Sequence, residues 1–152
     1  MSVEIERKFL VNGKGWKQGH YIYVRQGYLN LDKERTVRVR LAGKKAYLTI
    51  KGINTGAKRA EYEYEIPVSD AAELIKICDG SILEKNRYAA SCGGLVWEVD
   101  EFLGNNEGLI VAEVELYSEG QAFDRPEWAG QEVTTDPRYF NSNLCTHPYC
   151  KW

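Results

Sequence analysis

The chain has 152 residues, 20 of them basic and 22 acidic, for a formal charge of -2, with 43% apolar and 28% charged residues. That length suits a single domain over 1-152 with one core, and the composition is too apolar for a disordered chain. The charge balance argues against a surface that coats long nucleic acids, and no apolar run approaches the roughly 20 residues of a membrane span. The opening Met-Ser-Val-Glu-Ile-Glu-Arg-Lys-Phe is charged from residue 4 and is no signal peptide, so a cytoplasmic protein is expected.

Alternation of apolar and polar residues begins at once and predicts a strand over 3–10. Further strands are predicted over 21–29, 35–41, 46–51 and 60–67. Ser69-Asp70, just after Pro67, reads as the N-cap of a helix over 71–78, with Leu74, Ile75 and Cys78 at helical spacing and Gly80 beyond. Alternation resumes over 83–89, 95–102 and 109–117. Pro126 suits a first helical turn, so a second short helix is expected within 126–131 or near 136–143. Cys145-Thr-His147-Pro-Tyr-Cys150 lacks a Cys-x2-Cys partner and reads as an ordinary C-terminal tail. About eight short strands separated by Gly- and Asn-rich turns imply an antiparallel sandwich or barrel, mainly β with few helices.

Side chains alternate across a strand, so each strand can be sorted into two faces. One face collects Glu4, Glu6 and Lys8, then Arg38 and Arg40, then Lys51, then Glu61 and Glu63. It continues with Lys85 and Arg87, Glu98 and Asp100, and Glu113 and Glu115. The opposite face is apolar. A solvated sheet face accounts for any one strand. It does not account for charges at i, i+2 on six strands with Lys51 on a seventh, because like charges on one face repel, and that cost suggests a shared ligand. A closed barrel with this face inward pairs the charges with one another and with a guest. Arginine and lysine suit phosphate oxygens, and carboxylates suit hard divalent cations such as Mg2+ or Mn2+. Arg35, Lys58 and Arg59 lie near strand ends, where they could steer a polyanion to an entrance, and read by default as surface charge.

Glu4-Ile-Glu6-Arg-Lys8 resembles the E-x-E-x-K signature of the CYTH, or triphosphate tunnel metalloenzyme, superfamily. The resemblance continues through Arg38-Val-Arg40, Thr49-Ile-Lys51, Glu61-Tyr-Glu63, Lys85-Asn-Arg87, Glu98-Val-Asp100 and Glu113-Val-Glu115. It is nearest to the small bacterial inorganic triphosphatase type. The resemblance implies an eight-stranded closed β-barrel (α+β, CYTH-like) with a few flanking helices and a triphosphate bound inside. It implies metal held by Glu4, Glu6, Glu113 and Glu115, and triphosphate held by Lys8, Arg38, Arg40, Lys51, Lys85 and Arg87. Lys8 is the implied catalytic lysine, and Glu61, Glu63, Glu98 and Asp100 are the supporting acids. The expected reaction is metal-dependent cleavage of tripolyphosphate to pyrophosphate and phosphate. The competing readings are a class IV-type adenylate cyclase, a thiamine or nucleoside triphosphatase, and a non-catalytic polyphosphate-binding module. Neither membrane nor long nucleic acid is an expected partner; the oligomeric state is open, a dimer included.

Overall fold

The structure, a computed structural model, describes residues 2–152. Its strands are β1 (Val3–Val11), β2 (Tyr21–Asn30), β3 (Arg35–Ala42), β4 (Lys45–Gly52), β5 (Lys58–Ile66), β6 (Asp79–Cys92), β7 (Leu95–Phe102), β8 (Ile110–Glu115) and β9 (Ala129–Glu132). Two α-helices, α1 (Val68–Ile75) and α2 (Asn141–Leu144), and single 3-10 turns at Gly104–Asn106, Pro137–Tyr139 and Tyr149–Lys151 complete the chain. No helix among the described residues is long and apolar enough to cross a membrane.

The strands are joined in the order β5-β4-β3-β2-β6-β7-β8-β1, and β1 also pairs with β5, which closes an eight-stranded antiparallel barrel. β1 splits its free edge. Val3–Ile5 pair with β5, whereas Phe9 and Val11 pair with the extra strand β9. Closure fixes the alternation: a one-residue slip of any strand would move its whole charged set outward.

The apolar faces point out of the barrel and are covered from outside. Trp97 is fully buried, with Phe9 at 5.3 Å and Trp128 at 5.6 Å between ring centroids, and Val99, Ala112 and Val114 lie in the same cluster. Helix α1 lays Ala71 and Ile75 over Val39 and Ala46. Full burial of an aliphatic side chain contributes about 1.5–3 kcal/mol, so this short helix is held by packing more than by propensity. Gly27 lets the chain after α1 come close: a Cβ there would stand 2.7 Å from Ile82 and 2.9 Å from Cys78. A third cluster, Tyr28, Leu83, Phe102, Val111, Tyr139 and Leu144, is built with the C-terminal segment.

Two expectations are corrected. The segment 126–131 is not helical; it leads into β9, because Gly130 and its neighbours can lie against β1 and the Arg125 guanidinium bonds the Gly130 carbonyl. Helix α1 starts at Val68, directly after Pro67, so Ser69 and Asp70 lie inside it, and no side chain caps its first turn. The helical turns near 136–143 are present, as Pro137–Tyr139 and α2. Tyr62 and Tyr64 are exposed on the outer face.

Candidate active site

The barrel encloses a cavity of about 360 Å³. Twelve of the fourteen charged residues selected from the sequence line it: Glu4, Glu6 and Lys8 from β1; Arg38 and Arg40 from β3; Lys51 from β4; Glu61 and Glu63 from β5; Arg87 from β6; Glu98 from β7; Glu113 and Glu115 from β8. Lys85 and Asp100 do not line it. Both are fully buried in the wall, with the Lys85 ammonium 2.7 Å from an Asp100 oxygen.

Most of the lining charges are paired. Lys51 Nζ lies 2.8 Å from Glu4 and 3.4 Å from Glu61. Arg38 donates to Thr49 Oγ1 at 3.0 Å and to Glu63 at 3.3 Å, and Thr49 donates in turn to Glu63. Arg87 forks onto Asp100 at 2.7 and 2.9 Å and also reaches Glu98 and Glu113. Lys8 Nζ stands 3.7 Å from Glu113. Arg40 differs: its Nε donates to the neutral Gln26 Oε1 at 2.8 Å, and it has no carboxylate partner among the described residues.

The carboxylates divide in the same way. Burial opposes ionisation of Glu4, but the Lys51 ammonium overrides it and holds Glu4 well below the usual range. Burial likewise opposes Glu113, which Lys8 and Arg87 bring down to about 2. Glu61 is pushed up to about 7, first by burial and then by sharing a hydrogen bond with Glu4. Glu6 and Glu115 are direct cross-strand partners, and neither has an ion pair among the described residues. Burial raises the Glu6 carboxyl well above the usual range, and Glu113 and Glu4 raise it further; Glu115 is raised by burial and by Glu4. Like charges directly opposite on antiparallel strands are unfavourable unless something positive lies between them.

A divalent cation fits this surplus. The donors are all carboxylate oxygens, the preference of hard ions. In the described conformation the four glutamates are not gathered around one point. Among the described residues no trio of His, Cys, Asp and Glu stands ready for an ion, because Glu4 and Glu113 are turned onto lysines. Glu6 and Glu115 remain as carboxyl groups without a cationic partner among the described residues, whose ionisation a bound cation would favour.

Lys8 is held from three sides. Its backbone N–H donates to Thr134 Oγ1 at 3.0 Å, and its carbonyl accepts from Val133 N–H at 2.8 Å, so the chain leaving β9 fixes this stretch of β1. Its ammonium lies 5.6 Å from the Phe140 ring centroid, a cation–π distance. Burial opposes its charge, but Glu113, Glu6 and Glu4 raise its pKa above the ordinary lysine value.

Several residues at the site carry no signal in the sequence. Gln26 is fully buried between Arg40 and Asn141, to which its amide donates at 3.2 Å. Asn141 Oδ1 also accepts from Lys85 at 3.1 Å, which ties α2 to the tunnel wall. Thr134 and Phe140 are neutral as well, whereas Thr49 belongs to the Thr49-Ile-Lys51 stretch of the resemblance. Arg59, read as surface charge, lines the cavity.

A family model described as the CYTH domain matches residues 2–149. A protein of Acetivibrio thermocellus named inorganic triphosphatase is 52% identical over 151 residues, covering 98% of this chain and 97% of its own. A protein of the same name from Nitrosomonas europaea is 39% identical over 145 residues, covering 93% and 95%. A crystal structure of an inorganic triphosphatase superposes with a TM-score of 0.67 at 38% identity, covering 95% of each chain.

Proposed function

The chain belongs to the CYTH domain family, and from that premise we propose that it is an inorganic triphosphatase, which cleaves tripolyphosphate and water to pyrophosphate and phosphate. The observation that carries this reading is the tunnel itself. Five basic side chains selected from the sequence line one cavity with a seam of carboxylates, two of which have no cation of their own among the described residues. Enzymatic phosphoryl transfer is mostly positioning and charge neutralisation, and this cavity is equipped for both.

In this reading Arg38, Arg40, Lys51 and Arg87 bind the phosphate oxygens, the arginines by their planar forks. Lys85, buried in the wall, supports Arg87 through their shared Asp100 and Arg40 through Asn141 and Gln26. Glu4, Glu6, Glu113 and Glu115 would hold a divalent cation, Mg2+ or Mn2+, which when bound neutralises phosphate oxygens and lowers the barrier to attack on phosphorus. Lys8 stabilises charge on the transferring phosphoryl group. Glu61, Glu63, Glu98 and Asp100 orient the basic residues. The carboxylate group orients the attacking water. A cytoplasmic location, small-molecule triphosphate as the partner, and one domain over 1-152 belong to the same reading. Both named relatives are inorganic triphosphatases, so the cyclase and binding-module alternatives are not favoured.

The test is phosphate release from tripolyphosphate, ATP, GTP and thiamine triphosphate, with Mg2+, with Mn2+ and with neither. Metal-dependent release, fastest on tripolyphosphate, is expected. Turnover of tripolyphosphate no better than that of ATP would sink the substrate assignment.

A further inference from the structure

Four arginines line the cavity, and they fall into two kinds. Arg38 and Arg87 are neutralised by carboxylates. Arg40 and Arg59 have no carboxylate partner among the described residues, and each is oriented by a neutral oxygen. For Arg40 that oxygen belongs to Gln26. For Arg59 it is the Gly52 carbonyl, which accepts from Nε at 3.0 Å and from one Nη at 2.8 Å. The register sets Glu4 opposite Arg59, yet the Glu4 carboxylate is spent on Lys51. A guanidinium has five N–H donors, so Arg59 is locked in plane by two and keeps three to offer.

Its position is specific. Beside the tunnel lies a second cavity of about 200 Å³, and Arg59, Thr36, Asn54, Phe140 and Ser142 line both. Arg59 thus stands at the junction of the two. Thr36 marks the same junction on β3, and Arg40 lies four residues further along that strand, roughly 13 Å at about 3.3 Å per residue. The two uncommitted guanidiniums are therefore set apart along the cavity, and Arg38 lies between Thr36 and Arg40 on β3. A neutral anchor orients an arginine without consuming its charge, which is what a guanidinium waiting for an anion needs. Burial lowers the pKa of Arg59, against the pull of Glu4, so this charge is held at a cost that an anion would relieve.

We propose that Arg59 is a further substrate-binding residue, which holds the outer phosphoryl group of a linear triphosphate where the tunnel meets the second cavity. The proposal rests on the triphosphatase reading above. It sets Arg59 apart from the strand-end surface charges with which the sequence groups it.

The experiment compares wild type, Arg59→Gln and Arg59→Lys. One arm is steady-state hydrolysis of tripolyphosphate; the other is calorimetric binding of tripolyphosphate in a Lys8→Ala background, where turnover is suppressed. Loss of a hydrogen bond to a charged group predicts a KM about tenfold higher in Arg59→Gln with kcat little changed, a matching loss of calorimetric affinity, and recovery of most of it in Arg59→Lys. A folded Arg59→Gln with unchanged KM and unchanged affinity overturns the proposal. So does a fall in kcat and melting temperature at constant KM, which would make Arg59 only a tie between β4 and β5. A wild type that binds tripolyphosphate but does not cleave it defeats the triphosphatase reading alone, and the calorimetric arm then still decides Arg59. A wild type that binds none defeats both.

Discussion

The wall formed by β6 and β7 and the seam between β1 and β8 are built from the same residue types at the same i, i+2 spacing, yet they end in opposite electrostatic states. On the wall, register sets unlike charges face to face: Arg87 lies opposite Asp100, and Lys85, two residues earlier, reaches the same carboxylate. Those charges satisfy one another, and Lys85 and Asp100 withdraw from the cavity altogether. On the seam, register sets Glu6 opposite Glu115 and leaves Lys8 to serve Glu113. Cross-strand register thus decides which charged pairs become structure and which remain available for a ligand. Composition alone does not separate them.

The largest effect is expected on the satisfied wall. Asp100→Ala leaves the Lys85 ammonium buried without its counter-charge, and removing one partner of a buried pair costs about 3–5 kcal/mol. The denaturant midpoint should fall accordingly. If Asp100→Ala costs less than the exposed-pair variant Glu73→Ala, whose Lys76 partner stands in solvent, the wall is not a structural element and the contrast fails.

Lys8→Ala should divide the other way. Loss of a group that stabilises transition-state charge costs on the order of 10²–10³ in turnover. Its fold should suffer less than that of Asp100→Ala, because Lys8 is partly open to the cavity and its nearest acid is 3.7 Å away. Parallel measurement of tripolyphosphate turnover and melting temperature checks both halves. A variant that keeps wild-type turnover would remove Lys8 from the reaction.

How much of this contrast was legible follows from what a sequence displays. The eight barrel strands and the charged face appear because alternation with period two is dictated by the pleat, and Glu4 to Lys8 or Arg38 to Arg40 write their sign and spacing directly. Barrel closure and cross-strand register are not local, so the sequence could name Glu6 and Glu115 but not set them opposite one another. Strand β9 was invisible because Ala-Gly-Gln-Glu has no alternating apolar set; its strand form comes from the free half of β1's edge. Gln26 and Asn141 were invisible for another reason. Neutral amides carry no charge pattern, and their contact joins positions 115 residues apart. Arg59 was visible as a charge but not as an uncommitted one, since its anchor is a backbone carbonyl.

The smallest expected effect is the sharpest test of the seam. In chelator, Glu6→Gln should be more stable than wild type at pH 7, by the ~0.2–1 kcal/mol scale of a cross-strand pair, because it removes a buried carboxyl whose ionisation burial and the neighbouring Glu113 and Glu4 oppose. The sign with pH is fixed by the raised Glu6 pKa. Between the ordinary carboxylate value of 4.5 and its raised folded value, the folded state binds more protons than the unfolded one, so the Glu6 contribution to stability falls as pH rises through that window. As the pH falls through that window towards 4.5, the Glu6 penalty is relieved, and the advantage of Glu6→Gln should shrink towards zero. Below about 3.8 the wall enters with the opposite sign, since Asp100 is held below its ordinary value by Arg87 and Lys85 against burial, and stability drops for both proteins alike. Adding Mg2+ at pH 7 should reverse the ranking, because a ligand bound only by the folded state stabilises it in proportion to its affinity, and that affinity is lower without the Glu6 carboxylate. Melting curves across pH, with and without Mg2+, supply all three comparisons. A Glu6→Gln protein that is less stable than wild type in chelator would show that the seam is satisfied without a cation.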